Sequence, residues 1–300
     1  MKYKAMLMDV KRFAIHDGPG IRTTLFLKGC PLKCVWCHNP EGIWPKPQMA
    51  YYLHKCIDCG ECVSVCPTGA QTMTEEGRHS FDRERCIACG ACAEVCLGEA
   101  MLRYGRTVDL EQALAIALED AAFYGSTGGV TVSGGEPLLQ AEFVAELLTA
   151  LKARGIHTAV DTCGSVPWEK VEKVLPCTDM FLYDIKHMDP RQHRQLTGRS
   201  NERILSNLIR LSELGARIEV RFPMVPGCND DMEQIAQMGV FLSGLHIERV
   251  KVLAYHSMAR AKYAALGAED TMPRVDTPTS DEMRAAVEQL RQMGVNAVSG

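Results

Sequence analysis

The run Thr24-Leu25-Phe26-Leu27-Lys28-Gly29-Cys30-Pro31-Leu32-Lys33-Cys34-Val35-Trp36-Cys37 carries an apolar strand, Thr24 to Lys28, directly into a loop with cysteines spaced C-x3-C-x2-C. A strand that ends in ligand-bearing residues is how α/β sheets present chemistry, since their functional groups collect at the carboxyl ends of strands. Three thiolates are one short of what a cubane [4Fe–4S] cluster takes, so such a loop leaves one iron open to an exogenous ligand. Taken alone, the loop also reads as a zinc site or a chance cluster of cysteines.

Downstream of Asp109 the chain alternates short apolar strands with helical patterns. The period-2 runs predict strands at Val130–Ser133, Thr158–Asp161, Met180–Ile185, Arg217–Phe222 and Arg249–Ala254. Between them the 3.6-residue period predicts helices at Leu110–Tyr124, Ala141–Arg154, Trp168–Leu175, Glu202–Leu214, Asp231–Leu242 and Ser280–Met293. Such a βα rhythm implies a parallel sheet flanked by helices. Six units are too few for a closed eight-stranded barrel, so the expected fold is α/β, a partial (β/α)6 TIM-type barrel built from residues 1–50 and 102–300.

Residues 51–101 break the rhythm, with eight cysteines in turn-rich sequence of little apolar bulk. Cys56-Ile57-Asp58-Cys59-Gly60-Glu61-Cys62 through Cys66 recurs as Cys86-Ile87-Ala88-Cys89-Gly90-Ala91-Cys92 through Cys96. Each run reads C-x2-C-x2-C-x3-C, the spacing of bacterial two-cluster ferredoxins, in which the fourth cysteine of each run ligates the other cluster. On that arrangement Cys56, Cys59, Cys62 and Cys96 hold one [4Fe–4S] cluster, and Cys86, Cys89, Cys92 and Cys66 hold the second. Pro67 follows the first run in the ferredoxin manner, whereas Leu97 stands after the second, which bears on the local turn and not on the thiolates. Structural zinc, which favours cysteine pairs with a longer spacer, is the alternative. The segment is expected to fold as a ferredoxin-like insertion that needs its metal.

The whole chain agrees with this reading. Eleven of fourteen cysteines fall in the first third of 300 residues, in a long chain without a secretion signal, which favours metal ligation over disulfides. The formal net charge is −4 with Lys and Arg scattered, so no nucleic-acid-binding surface is expected. No stretch approaches ~20 uninterrupted apolar residues, so the expectation is a soluble cytoplasmic protein that does not engage a membrane. Cys163, Cys177 and Cys228 lack ligand spacing and read as buried free thiols.

Polar groups stand at the strand ends. Ser133-Gly134-Gly135-Glu136-Pro137 leaves one strand, with glycines that let a ligand approach the backbone and a carboxylate able to accept from an ammonium. A plain strand-to-helix turn is the simpler reading. Asp161-Thr162 and Asp184-Ile185-Lys186 end the next two strands, where an exposed salt bridge would be unremarkable. Arg221 and His256 end two more, positions that usually hold rim residues.

Taken together, C-x3-C-x-aromatic-C with Trp36 at the aromatic position resembles the radical S-adenosylmethionine (SAM) superfamily. There the amino and carboxylate groups of SAM chelate the open iron. The resemblance implies that Cys30, Cys34 and Cys37 ligate the catalytic cluster and that Gly134, Gly135 and Glu136 match the motif holding the SAM amino group. Asp161, Thr162, Asp184 and Lys186 then match positions lining the SAM site and a monovalent-cation site in pyruvate formate-lyase activating enzyme, with Arg221 and His256 at SAM-contacting positions. His16-Asp17-Gly18-Pro19-Gly20-Ile21-Arg22-Thr23, with Cys-His-Asn-Pro at Cys37–Pro40, resembles the glycyl-radical-enzyme activating branch. Asp17 then faces the incoming glycine loop. The two-cluster insertion is similar to that of activators for glycerol dehydratase, choline trimethylamine-lyase and 4-hydroxyphenylacetate decarboxylase.

The implied chemistry is reductive cleavage of SAM to a 5′-deoxyadenosyl radical that abstracts hydrogen from a glycine of a partner glycyl radical enzyme. The radical is borne by the cofactor, so no side chain is assigned a catalytic role. Three [4Fe–4S] clusters, a reduced flavodoxin or ferredoxin as electron donor, an anaerobic setting and a monomeric protein complete the expectation. A radical SAM maturase acting on another peptide or a small molecule is the enzymatic alternative. A ferredoxin-like electron carrier is the non-enzymatic one.

Overall fold

The computed structural model describes residues 3–300; Met1 and Lys2, at the start of the expected barrel segment, lie outside the described residues. An antiparallel hairpin opens the fold, β1 (Ala5–Ala14) with β2 (Arg22–Leu27). The following segment carries β3 (Gln48–Tyr51), α1 (Glu61–Ser64), β4 (Gln71–Met73), β5 (His79–Phe81), α2 (Ala91–Glu94), β6 (Met101–Tyr104) and β7 (Arg106–Val108). The alternating part then runs α3 (Leu110–Leu118), β8 (Gly129–Gly134), α4 (Ala141–Lys152), β9 (His157–Thr162), α5 (Trp168–Val174) and β10 (Met180–Asp184). It ends with α6 (Pro190–Thr197), α7 (Glu202–Glu213), β11 (Ile218–Met224), α8 (Met232–Ser243), β12 (Arg249–Ala254), α9 (Arg260–Leu266), α10 (Ser280–Gln292) and β13 (Ala297–Ser299).

One sheet of nine strands carries the molecule, in the order β13-β12-β11-β10-β9-β8-β2-β1-β7. Every pairing from β2 through β13 is parallel, and β1 pairs antiparallel with both β2 and β7. The sheet is open, with β13 and β7 at its edges. The expected strands and helices appear with shifts of one or two residues at their ends, with one exception. The helix expected over Leu110–Tyr124 stops at Leu118, and Ala121–Phe123 forms a separate 3-10 turn. Capping boxes start α3 and α10, where Asp109 and Thr279 accept from the N–H groups of Gln112 and Glu282. Among the described residues no helix is long and apolar enough to cross a membrane.

The two faces of the sheet differ chemically. Leu25, Val130, Val132, Val160, Phe181, Val220 and Val252 point into the main core, packed by α3, α4, α5, α7, α8 and α10. Residues of opposite parity include Thr24, Thr131, Ser133, Asp161, Asp184, Glu219 and Arg221. A parallel sheet covered on both faces is ordinarily apolar throughout. Here one face is polar and gathers charge towards the carboxyl ends of the strands, and the loop at the end of β2 lies at that end.

Candidate functional site

The cysteine loop is pinned from two directions. Gly29 and Cys30 N–H donate to the Gly42 and Ile43 carbonyls at 2.7 and 3.0 Å, while Lys33 and Val35 N–H donate to Thr197 and Leu196 of α6 at 2.8 and 2.9 Å. Cys30, Cys34 and Cys37 are half-buried within it. Burial pushes the Cys34 thiol up to about 11 and the Cys37 thiol up to about 12, neighbouring thiolates add to the rise, and the Lys186 ammonium opposes it. Cys30 is lowered, chiefly because the Cys163 side chain hydrogen-bonds it. Metal binding would release these protons, so a soft cationic centre suits this set of donors. Trp36 anchors the loop, buried among Val225, Tyr255 and Met272.

At the end of β8 the two glycines have a steric purpose. A Cβ on Gly134, whose φ is +124°, would lie 2.1 Å from the Leu27 carbonyl oxygen, and one on Gly135 would lie 2.3 Å from that of Gly29. Their absence lets the backbone close on the cysteine loop, with Gly135 N–H donating to Leu27 at 2.9 Å and Glu136 N–H to Gly29 at 2.7 Å. The Glu136 side chain is held from within the protein. It is fully buried and its carboxylate accepts from Thr162 Oγ1 at 2.8 Å, Cys163 N–H at 2.9 Å and Leu138 N–H at 3.0 Å. Burial raises its pKa and these donors oppose the rise. Glu136 therefore ties the ends of β8 and β9 together, with Thr162 as its partner.

Asp161 points the other way, to the polar face. Ser133 Oγ donates to it at 2.7 Å and Arg221 Nη1 lies 3.5 Å away. Lys186 Nζ pairs with Asp184 Oδ2 at 2.8 Å. Burial raises Asp161 to about 6, with Arg221 opposing and Asp184 and Asp17 adding. Arg221 donates to the His16 carbonyl, yet its buried Nε has no hydrogen-bond partner, because Glu219 stands 3.6 Å off. Asp17 is drawn onto the same face, accepting from Thr24 Oγ1 at 2.9 Å, while its carbonyl accepts from Thr131 Oγ1 at 2.6 Å. The fully buried Arg22 ties this turn down, donating to Thr131 Oγ1 and the Val130 carbonyl, both at 2.7 Å.

His256 is exposed and stacks on His38, with ring centroids 4.1 Å apart. Burial, aided by His256, lowers His38 to about 4. Helix α9 clamps the loop from this side. Tyr263 Oη donates to the Cys37 carbonyl at 3.1 Å, and Lys262 Nζ reaches the His38 carbonyl at 3.1 Å and the Glu41 carboxylate. Neither residue was singled out in the sequence, because Arg260–Leu266 is a short helix with no clear apolar stripe. Arg22 stood inside the His16–Thr23 stretch and Cys163 directly after Asp161-Thr162, neither with a site role of its own. Cys163 and Cys177 are buried as expected, whereas Cys228 is half-buried because it lies at the margin of the cluster around Trp36.

In residues 51–101 the two runs share one backbone geometry. Asp58 and Ala88 have φ of +54° and +51°, and Gly60 and Gly90, the residues that cap α1 and α2 at their N-termini, have φ of +77° and +96°. Ala70 N–H donates to Cys66 Sγ and Ala100 N–H to Cys96 Sγ, each at 3.2 Å. Two hollows result, one somewhat larger than the other. Cys56, Cys59, Cys62 and Cys96 line the larger; Cys66, Cys86, Cys89 and Cys92 line the smaller. Each thus draws three cysteines from one run and one from the other. Among the described residues no group of three or more His, Cys, Asp or Glu converges as it would on a single metal ion.

An open parallel sheet with a three-cysteine loop at the end of its first parallel strand defines a class, and comparison with known proteins agrees. The family model described as the radical SAM superfamily matches residues 24–239. The chain is 40% identical to the (2S)-3-sulfopropanediol dehydratase activating enzyme of Klebsiella oxytoca, over 98% of this chain and 96% of that one. It is 41% identical to the choline trimethylamine-lyase activating enzyme of Oleidesulfovibrio alaskensis, over 89% of this chain and 88% of that one. A crystal structure of a domain of pyruvate-formate lyase-activating enzyme from Bacteroides vulgatus superposes with a TM-score of 0.50 at 32% identity, covering 58% of this chain and 99% of that domain. The chain belongs to the radical SAM superfamily and, within it, to the activating enzymes of glycyl radical enzymes.

Proposed function

We propose that this protein activates a glycyl radical enzyme through a [4Fe–4S] cluster held by Cys30, Cys34 and Cys37, with SAM bound at the open iron. One observation carries the reading: the loop bearing the three thiols is closed against the Gly134–Glu136 turn, through Gly135 N–H to Leu27 and Glu136 N–H to Gly29, at the end of the sheet where Lys186 pairs with Asp184. The cysteine loop therefore opens onto a charged cradle suited to the amino-acid end of SAM. When bound, the cluster and SAM supply reductive carbon–sulfur cleavage and hydrogen abstraction from the partner's glycine, chemistry no side chain performs.

The chain's own residues orient and shield that chemistry. Gly134 and Gly135 present backbone towards the loop, and Glu136 with Thr162 holds that backbone still. Asp161, Asp184, Lys186 and Arg221 form the charged wall, and a monovalent cation beside Asp161 and Asp184 would ease the repulsion between them. Trp36 and His256 close the loop side, and Asp17 faces the glycine loop at the mouth. The sheet acts as a partial (β/α)6 barrel of residues 1–50 and 102–300. Residues 51–101 act as a ferredoxin-like insertion holding two further cubanes, a relay from a reduced flavodoxin or ferredoxin. Hollows lined by four thiols each, three from one run and one from the other, support that assignment. A monomer working in an anaerobic cytoplasm suits both the exposed cubanes and the oxygen-labile glycyl product.

The test is anaerobic. Reconstituted protein with SAM and dithionite should release 5′-deoxyadenosine, and adding choline trimethylamine-lyase, isethionate sulfite-lyase or (2S)-3-sulfopropanediol dehydratase should yield the paramagnetic doublet of a glycine radical with one of them. Failure to release 5′-deoxyadenosine would refute the proposal. Release with no doublet from any glycyl radical enzyme would turn it towards a maturase.

A further inference from the structure

The two cysteine hollows share a backbone plan but not an electrostatic one. With the runs aligned thirty residues apart, Gln71 of the first corresponds to Met101 of the second, and Arg83 corresponds to Leu53. Gln71 lines the smaller hollow and its Nε2 donates to Cys92 Sγ at 3.5 Å. That amide is fixed in orientation by His79, whose Nε2 lies 2.6 Å from Gln71 Oε1. At the matching place the larger hollow is lined by the thioether of Met101, which has no N–H to donate.

Arg83 adds a charge. Its guanidinium donates to two carbonyls, Met49 at 3.0 Å and Ala265 at 2.7 Å, and lies 4.8 Å from the Phe81 ring. Among the described residues no carboxylate pairs with it; Met49, whose carbonyl it holds, lines the smaller hollow, and Cys86 of that hollow donates its N–H to the Arg83 carbonyl at 3.3 Å. Gly267 at the end of α9 makes room for it, since a Cβ there would meet Arg83 Nε at 2.4 Å. The larger hollow instead has Asp58 beside Cys56, its carboxylate matched by Arg78 at 3.0 Å, and a Tyr51 hydroxyl next to Cys56. Reducing a cubane adds negative charge, which a nearby cation and a donated N–H favour.

We infer that Arg83 and Gln71 make the Cys66–Cys86–Cys89–Cys92 site the more easily reduced of the two auxiliary sites. This rests on the three-cluster reading above. The same site is the one nearer the parallel sheet. β3, which pairs with β6 outside that sheet, begins at Gln48, which Lys28 at the end of β2 contacts at 3.2 Å; Met49 then lines the smaller hollow, and Tyr51, further along, lines the larger. Arg83 also joins the smaller hollow to α9, the helix that clamps Cys37. An electron shared between the two sites therefore rests on the inner one.

The test is a redox titration of the reconstituted holoprotein followed by electron paramagnetic resonance. Cys59→Ser and Cys89→Ser assign the two auxiliary signals, and Cys89→Ser should remove the one that reduces first. Gln71→Met, which copies the other hollow, and Arg83→Gln should each lower the reduced-to-oxidised ratio of that signal about three- to tenfold at a fixed potential, the scale of a single hydrogen bond or screened charge. Arg83→Lys should restore most of the Arg83 effect. Movement of the other signal, or of neither, with full iron content would overturn the inference. About four irons per chain instead of about twelve would remove the three-cluster reading itself, and the inference with it.

Discussion

Asp161 titrates at about 6 instead of 3.8, first because it is buried and then because Asp184 and Asp17 face it. The sign of the resulting pH dependence follows from linkage. The folded chain takes up a proton below about 6, whereas the unfolded chain does so only near 3.8. Falling pH across that window therefore favours the fold, and above it Asp161 carries its full penalty. Asp161→Asn removes the charge, so the variant should gain on the wild type by ~1–2 kcal/mol as pH rises from about 4 to about 7, measured by urea unfolding of both apoproteins. A flat difference, or a loss with rising pH, would contradict this environment for Asp161. Glu136 teaches a different lesson at this scale. A motif locates a carboxylate along the chain but not its direction, and only the packing of β8 on β9 shows that it faces Thr162 and Cys163.

At the scale of elements, α9 holds the cysteine loop through two side chains of unequal weight. Lys262→Met leaves Glu41, whose side chain is 4% exposed, without its cation and should cost about 3 kcal/mol in denaturant unfolding. Tyr263→Phe loses one hydrogen bond to the Cys37 carbonyl and should cost about 1 kcal/mol. Equal costs would mean that the helix is held by packing and not by these contacts. The strands β8 to β12 and helices α4, α5, α7, α8 and α10 were legible because each repeats one period over enough residues to count. β1 was not, since its second half alternates charged residues with a bulge near Phe13, and neither was three-residue β13. α6 (PRQHRQLT) and α9 (RAKYAAL) carry no apolar stripe at helical spacing, unlike α5 with Trp168, Val171 and Val174, so the clamp on the loop appeared only in three dimensions. The charged face of the sheet was legible as separate strand-end residues, and what brings them together is parallel register.

Over the whole molecule, two kinds of stability meet. The sheet and its helices share one large apolar core, whereas the small core of residues 51–101 includes Cys62 and Cys92 themselves. Removing iron anaerobically should raise amide hydrogen exchange throughout 51–101 while α4, α7 and α8 keep their protection; equal protection with and without iron would contradict a metal-dependent insertion. The central claim is the open coordination site beside Cys30, Cys34 and Cys37, and electron–nuclear double resonance of the reduced protein with SAM carrying 15N at its amino group tests it most directly. A 15N coupling that disappears in Cys34→Ala is expected. Absence of that coupling in wild-type protein with a reduced, SAM-saturated cluster would contradict the account.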